Sequence, residues 1–149
     1  IVDANESWGE LDIEAEARVL AALGVEMIEQ PVPVGQEAML AGINSPVPFL
    51  ADESCQSRAE LEICARYFDG INIKLDKTGG LTEALALAQE AEARGLKLMV
   101  GCMLSTSLGI APAFLVAQGA HWVDLDGPIL LAEDREEGFR FEKGMILPG

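Results

Sequence analysis

The chain has 149 residues, half of them apolar and 23% charged, which is ordinary globular composition with enough length for one sizeable core. Its formal charge of −15, with only 10 Lys and Arg, leaves no basic cluster to neutralise phosphates, so nucleic-acid and anionic-membrane partners are excluded. No apolar run is long enough to span a bilayer. Cys55, Cys64 and Cys102 are an odd number in no metal-ligand spacing and read as reduced thiols of a cytoplasmic protein. The chain opens Ile1-Val2-Asp3, without an initiator Met or a leader, as expected of an internal piece of a longer protein.

In chain order, six short apolar runs are predicted as strands: Ile1–Asp3, Val25–Glu29, Phe49–Asp52, Ile71–Lys74, Leu98–Gly101 and Trp122–Asp124. Between them, helical periodicity covers Ile13–Leu23, Gln36–Ala41, Arg58–Phe68, Thr82–Arg94 and Leu108–Gln118. Ser57 and Glu60 form an S-x-x-E capping box. Gly24, Gly95 and Gly119 stand where helix-ending glycines are expected. Alternation of this kind predicts an α/β fold of parallel βαβ units.

The spacing narrows that class. Glu29 lies 26 positions after Asp3, Asp52 23 after Glu29, Lys74 22 after Asp52, and Asp124 50 after Lys74, two units on. A unit of about 25 residues is a compact strand–loop–helix–loop module. The prediction is a partial TIM-type (β/α) barrel over residues 1–131, about six strands of the eight that close a barrel. Two units are expected ahead of Ile1. Residues 132–149, with alternating Phe139, Phe141 and Ile146, form a strand-like tail expected to pack on a neighbouring domain. A doubly wound sheet is the other topology, but no Gly-rich dinucleotide loop supports it.

Chemistry in such folds sits at the C-terminal strand ends. Here they read Asp3, Glu29, Asp52, Lys74, Cys102 and Asp124. One strand-end carboxylate is usually a cap or loop residue. Three at successive strands would repel one another and raise their pKa values, and a hard divalent cation resolves that conflict. All-oxygen ligands without His or Cys suit Mg²⁺ better than Zn²⁺. Lys74 shares a strand face with Asn72, and beside a cation its pKa is expected to fall, making it a base near neutral pH. Lys77 reads as structural. Asp124 and Asp126 share a face, which suits a substrate ammonium and equally suits a loop entry. Cys102 faces the pocket but has no His partner, so it is not read as a nucleophile. His121, Trp8 and Trp122 read as structural.

Five segments carry a resemblance: Val2-Asp3-Ala4-Asn5, Glu29-Gln30-Pro31, Ala51-Asp52-Glu53-Ser54, the stretch Asn72 to Gly80, and Asp124 to Pro128. In order and spacing they resemble the enolase superfamily, within it the dipeptide epimerases, most closely the bacterial L-Ala-D/L-Glu epimerases of peptidoglycan peptide metabolism. The resemblance implies that Asp3, Glu29 and Asp52 bind Mg²⁺. It implies that Lys74 is one of two lysine acid/bases in a 1,1-proton transfer through an enediolate. It gives Asp124 and Asp126 the dipeptide's α-ammonium, and Cys102 a substrate contact through its backbone. It also implies an N-terminal capping domain, and a second lysine in a Lys-x-Lys of an earlier strand; neither lies in this sequence, so these residues alone are not expected to epimerise. The other readings are a muconate-type cycloisomerase, an o-succinylbenzoate synthase, an N-acylamino-acid racemase, or a non-catalytic truncated metal-binding module. Homo-oligomerisation is left open.

Overall fold

The computed structural model describes residues 1–147 and 149. Its main sheet has six parallel strands in sequential order: β1 (Val2–Asp3), β2 (Ile28–Glu29), β3 (Phe49–Ala51), β4 (Gly70–Ile73), β5 (Lys97–Gly101) and β6 (Trp122–Asp124). Sequential order with every pair parallel is the winding of a (β/α) barrel, and six strands make an open half-barrel. A doubly wound sheet would reverse direction partway, and this one does not.

Helices α1 (Ile13–Ala22), α2 (Leu61–Tyr67), α3 (Leu75–Thr78), α4 (Leu81–Ala93) and α5 (Ser107–Ala117) supply the crossovers except that from β2 to β3, which holds only a 3₁₀ segment. Asp12 caps α1 by accepting from the Ala15 N–H at 3.1 Å. The Ser57/Glu60 capping box forms as expected and opens a 3₁₀ turn that leads into α2. Ala17, Leu61, Cys64, Leu87, Ala91 and Ile110 face inward and meet Ile28, Phe49, Ile71 and Val100 in one core. All three cysteines are free thiols.

Three local expectations are corrected. Gln36–Ala41 contains only a 3₁₀ segment, Glu37–Leu40, because the loop is built around the buried Glu37 carboxylate rather than an apolar face. Gly119 is not left-handed, unlike Gly24 and Gly95. Helix α3 was not foreseen: it is a single turn between Lys74 and a left-handed Gly79, too short for periodicity to reveal.

The tail forms an antiparallel hairpin, β7 (Arg140–Glu142) and β8 (Met145–Leu147). It packs on this same domain. The Phe139 ring lies 5.4 Å from that of Phe114 on α5. Asp134 accepts from the Ser107 N–H at 2.9 Å and from its hydroxyl, at the start of α5.

Candidate active site

Sheet register brings the strand ends to one rim. Asp3 is paired with Glu29, and Gly101 with Asp124. Asp52 and Lys74 each directly follow the last residue of their strand. A cavity of about 510 Å³ opens there, lined by Asp3, Glu29, Asn72, Lys74, Cys102 and Asp124. Asp52 lies behind Lys74, almost fully buried. Asp126 lines the adjoining groove, with Asp124 shared between the two spaces.

Each carboxylate has a different environment. Asp3 is exposed and accepts from the backbone N–H and side-chain amide of Asn5, both at 2.8 Å. That turn needs the left-handed backbone that Asn5 adopts at φ 48°, a conformation asparagine tolerates better than most residues. Glu29 is buried and accepts from Asn72 Nδ2 at 2.6 Å. Burial pushes its carboxyl up to about 7; the Asn72 bond opposes this, and the charges of Asp52 and Asp3 reinforce it. Asp52 is held by two ammoniums: Lys74 Nζ lies 2.6 Å from Oδ2 and Lys77 Nζ 2.6 Å from Oδ1.

Lys74 also lies 3.9 Å from Glu29. Burial lowers its pKa, but the Asp52 hydrogen bond and the Asp52 and Glu29 charges outweigh burial, so Lys74 is held above the ordinary lysine value. This reverses the direction expected from the sequence. The expected fall presupposes a bound cation; facing bare carboxylates, the ammonium form is the stabilised one.

Burial, then the Asp126 charge and a hydrogen bond between the two, raises Asp124. Asp124 thus feels the charge of its neighbour Asp126. Burial likewise raises the Cys102 thiol, so it is no nucleophile at neutral pH. The Gly127 backbone N–H opposes that rise.

Four neighbours given no catalytic or binding role by the sequence reading complete the site. Gln30, fully buried at φ 34°, accepts the N–H groups of Asp52 and Ser54 at 2.9 and 3.1 Å. Its amide donates to Val32 O and Ser54 Oγ, both at 2.8 Å. Gln30 thus ties the end of β2 to the loop that carries Asp52. Asn72 orients Glu29, Lys77 anchors Asp52, and Gly101 leaves room for both Asn72 and Lys74. A Cβ on Gly101 would fall 2.8 Å from both Asn72 side-chain polar atoms and 3.1 Å from Lys74 Cε. Gly101→Ala is therefore expected to cut turnover by more than tenfold while lowering stability by only ~1–3 kcal/mol, the ordinary range for overpacking. Steady-state kinetics beside a denaturant melt checks this. The Gln30 and Asn72 signal was present in the Glu29-Gln30-Pro31 and Asn72-Ile73-Lys74 segments, but their partners lie 22 and 43 positions away.

As the side chains stand, no group of three His, Cys, Asp or Glu among the described residues is arranged to hold a metal. The cause is visible: lysines occupy Asp52 and Asn5 occupies Asp3. The donor chemistry nonetheless fits a hard cation. All donors are oxygens, Glu29 is pushed up by burial and then by the charges of Asp52 and Asp3, which a cation would offset, and Asn72 Oδ1 is buried on the cavity wall without a partner.

The whole chain, residues 1–149, matches the enolase C-terminal domain-like family model, and it belongs to that family. Among curated relatives, the L-Ala-D/L-Glu epimerase of Escherichia coli K12 is 50% identical over 146 residues, 98% of this chain and 46% of the relative. An N-acetyl-D-glutamate racemase from a Pseudoalteromonas species is 47% identical, over 99% of this chain and 47% of the relative. The chain thus spans under half the length of these relatives. Among solved structures, an Agrobacterium tumefaciens enolase family member with homology to dipeptide epimerases, with bound sodium and L-Ala-L-Glu, superposes with a TM-score of 0.94 at 54% identity. That match covers 99% of this chain and 45% of the other. A Methylococcus capsulatus dipeptide epimerase complexed with Mg and L-Arg-D-Lys gives 0.90 at 35% identity, covering 99% and 44%. These relatives are isomerases, or homologous to isomerases, of the enolase superfamily, and the half-barrel seen here is the corresponding part of their barrel domain.

Proposed function

We propose that the protein carrying this chain epimerises dipeptides of the L-Ala-D/L-Glu type, with Mg²⁺ at Asp3, Glu29 and Asp52. The observation that carries this reading is one cavity holding a lysine between buried carboxylates on one side and Asp124 on the other, with Asp126 in the adjoining groove. A cation held there would supply positive charge to the substrate carboxylate as its α-proton leaves. Lys74 would take or return that proton on one face. The lysine serving the other face would come from an earlier strand outside these residues, so residues 1–149 alone would not epimerise.

Asp124 and Asp126 supply the ammonium end. A carboxyl, Asp124, whose affinity for a proton is raised by burial and by the neighbouring Asp126 charge marks a site short of positive charge. A dipeptide's α-ammonium would satisfy it. Cys102, half-buried at the next strand end, would contact the substrate through its backbone. The exposed Ile129, Leu130 and Met145, at the β6 end and on the hairpin, support docking of a capping domain there. Three free thiols support a reducing, cytoplasmic setting, in which the substrates would be dipeptides derived from peptidoglycan peptides.

A second reading, racemisation of an N-acylated amino acid, is favoured by the 47% identical relative. An N-acyl amide carries no charge, so the carboxyl pair separates the two readings. Asp126→Asn in the full-length protein is expected to lower kcat/KM for L-Ala-L-Glu by about tenfold to a hundredfold, the loss of one charge-assisted hydrogen bond. Turnover of N-acetyl-glutamate serves as the parallel assay. Unchanged dipeptide turnover, or faster wild-type turnover of N-acetyl-glutamate, would replace the first reading with the second.

A further inference from the structure

Lys74 and Lys77 both reach Asp52, but they are held differently. Lys74 Nζ makes one hydrogen bond, to Asp52 Oδ2, and its other charged neighbour is 3.9 Å away. Lys77 Nζ has all three donors satisfied: Asp52 Oδ1 at 2.6 Å, the Asp52 carbonyl at 2.8 Å and the Asn72 carbonyl at 2.8 Å. Two of those acceptors are backbone atoms of adjacent strand ends and cannot turn away.

The chain makes this arrangement locally. Lys74 closes β4 and stands at the N-cap of the single turn α3, so Lys77 lies one turn on. Helical side chains lean back toward the helix N-terminus, which returns the Lys77 ammonium to the strand end beside Lys74. Left-handed Gly79 stops the turn immediately afterwards. Among the carboxylates of the site, only Asp52 has both oxygens held by ammoniums, one releasable and one fixed.

We propose, resting on the metal reading above, that Lys77 is a positioning residue that sets cation selectivity by keeping Asp52 Oδ1 occupied, so that Asp52 offers a single oxygen, Oδ2, to a cation. Lys74 vacates that oxygen when the cation binds. Mg²⁺ needs few ligands in strict octahedral geometry, and a single oxygen suits it. Ca²⁺ takes six to eight oxygens and gains from carboxylates that bind through both. The fixed ammonium also offsets one of the three negative charges of the site. Lys77 therefore penalises the larger cation twice, in oxygens offered and in charge.

The test is calorimetric titration of the full-length protein, free of substrate, with Mg²⁺ and with Ca²⁺, for wild type, Lys77→Met and Lys77→Gln. The expected result is a Ca²⁺-to-Mg²⁺ affinity ratio at least about tenfold higher in the variants, chiefly through tighter Ca²⁺ binding. An unchanged ratio in variants that melt as wild type does overturns the inference alone. Absence of Mg²⁺ binding by the wild type overturns the metal reading and the inference with it. Crystals of the wild type soaked in Ca²⁺ give a second measurement that needs no variant. Asp52 bound through one oxygen, with Lys77 still on the other, supports the inference. Asp52 bound through both oxygens, with Lys77 displaced, overturns it.

Discussion

Lys74→Met in the full-length protein is expected to lower dipeptide epimerisation by about 10³-fold, within the range that one positioned acid/base contributes. Met nearly matches the lysine stem in volume, so the cavity wall and core are preserved. The same substitution is expected to tighten divalent-cation binding several-fold, because the Lys74 ammonium occupies Asp52 Oδ2 at 2.6 Å and must leave before a cation can use that oxygen. The two effects run in opposite directions, and a merely destabilising mutation would not produce that. Coupled assays of turnover and calorimetry on one preparation measure both. Turnover within roughly tenfold of wild type would remove Lys74 from the chemistry.

Glu29→Gln has the second large effect, and its sign depends on the metal. In the fold the Glu29 carboxyl titrates at about 7 instead of 4.5, first because it is buried and then because Asp52 and Asp3 face it. Folding without a cation thus favours the protonated acid. That contribution is complete below about pH 4.5 and is lost as the pH rises through 7. At pH 8 in a chelator, wild type therefore carries a buried carboxylate that costs up to about 3 kcal/mol. The Gln variant carries no such charge and keeps an oxygen for Asn72 to bond, so it is expected to melt higher than wild type. In excess Mg²⁺ the order reverses, since only wild type gains the free energy of ligand binding. Wild-type Mg²⁺ affinity should also fall as the pH drops below 7 and protons compete for Glu29. Thermal melts of both proteins with chelator and with Mg²⁺, at pH 6 and pH 8, decide it. A variant that melts below wild type in chelator, or gains equally from Mg²⁺, contradicts the assignment of Glu29.

Much of this was legible in the chain. Apolar runs ending in Asp3, Glu29, Asp52 and Asp124 at near-constant spacing placed the strands to within a few residues, because a buried parallel strand must be apolar on both faces. The same regularity placed the ionisable groups on one rim. Elements without periodicity were not legible: α3 is one turn long, and Glu37–Leu40 is shaped by a buried carboxylate that accepts from Ser54 and Gly35. Gly119 was read from its place after a helical pattern, and it does follow the end of α5, but without the left-handed backbone of Gly24 and Gly95.

The sequence by itself determined the winding, the order of the strands and which chemical groups stand at their ends, since those follow from pattern and chain connectivity. Only the tertiary structure decided how those groups meet. It made the Lys77 ammonium, read from the sequence only as structural, the fixed partner of Asp52. It made Gln30 a strut between two strand ends and raised Lys74 where a fall was expected. It also folded the tail onto α5 through Ser107 and Asp134. The physical reason is common to all four: hydrogen bonds and charge–charge interactions act over a few ångströms in space, between residues that the chain places 22 to 43 positions apart or turns back on themselves within one helical turn.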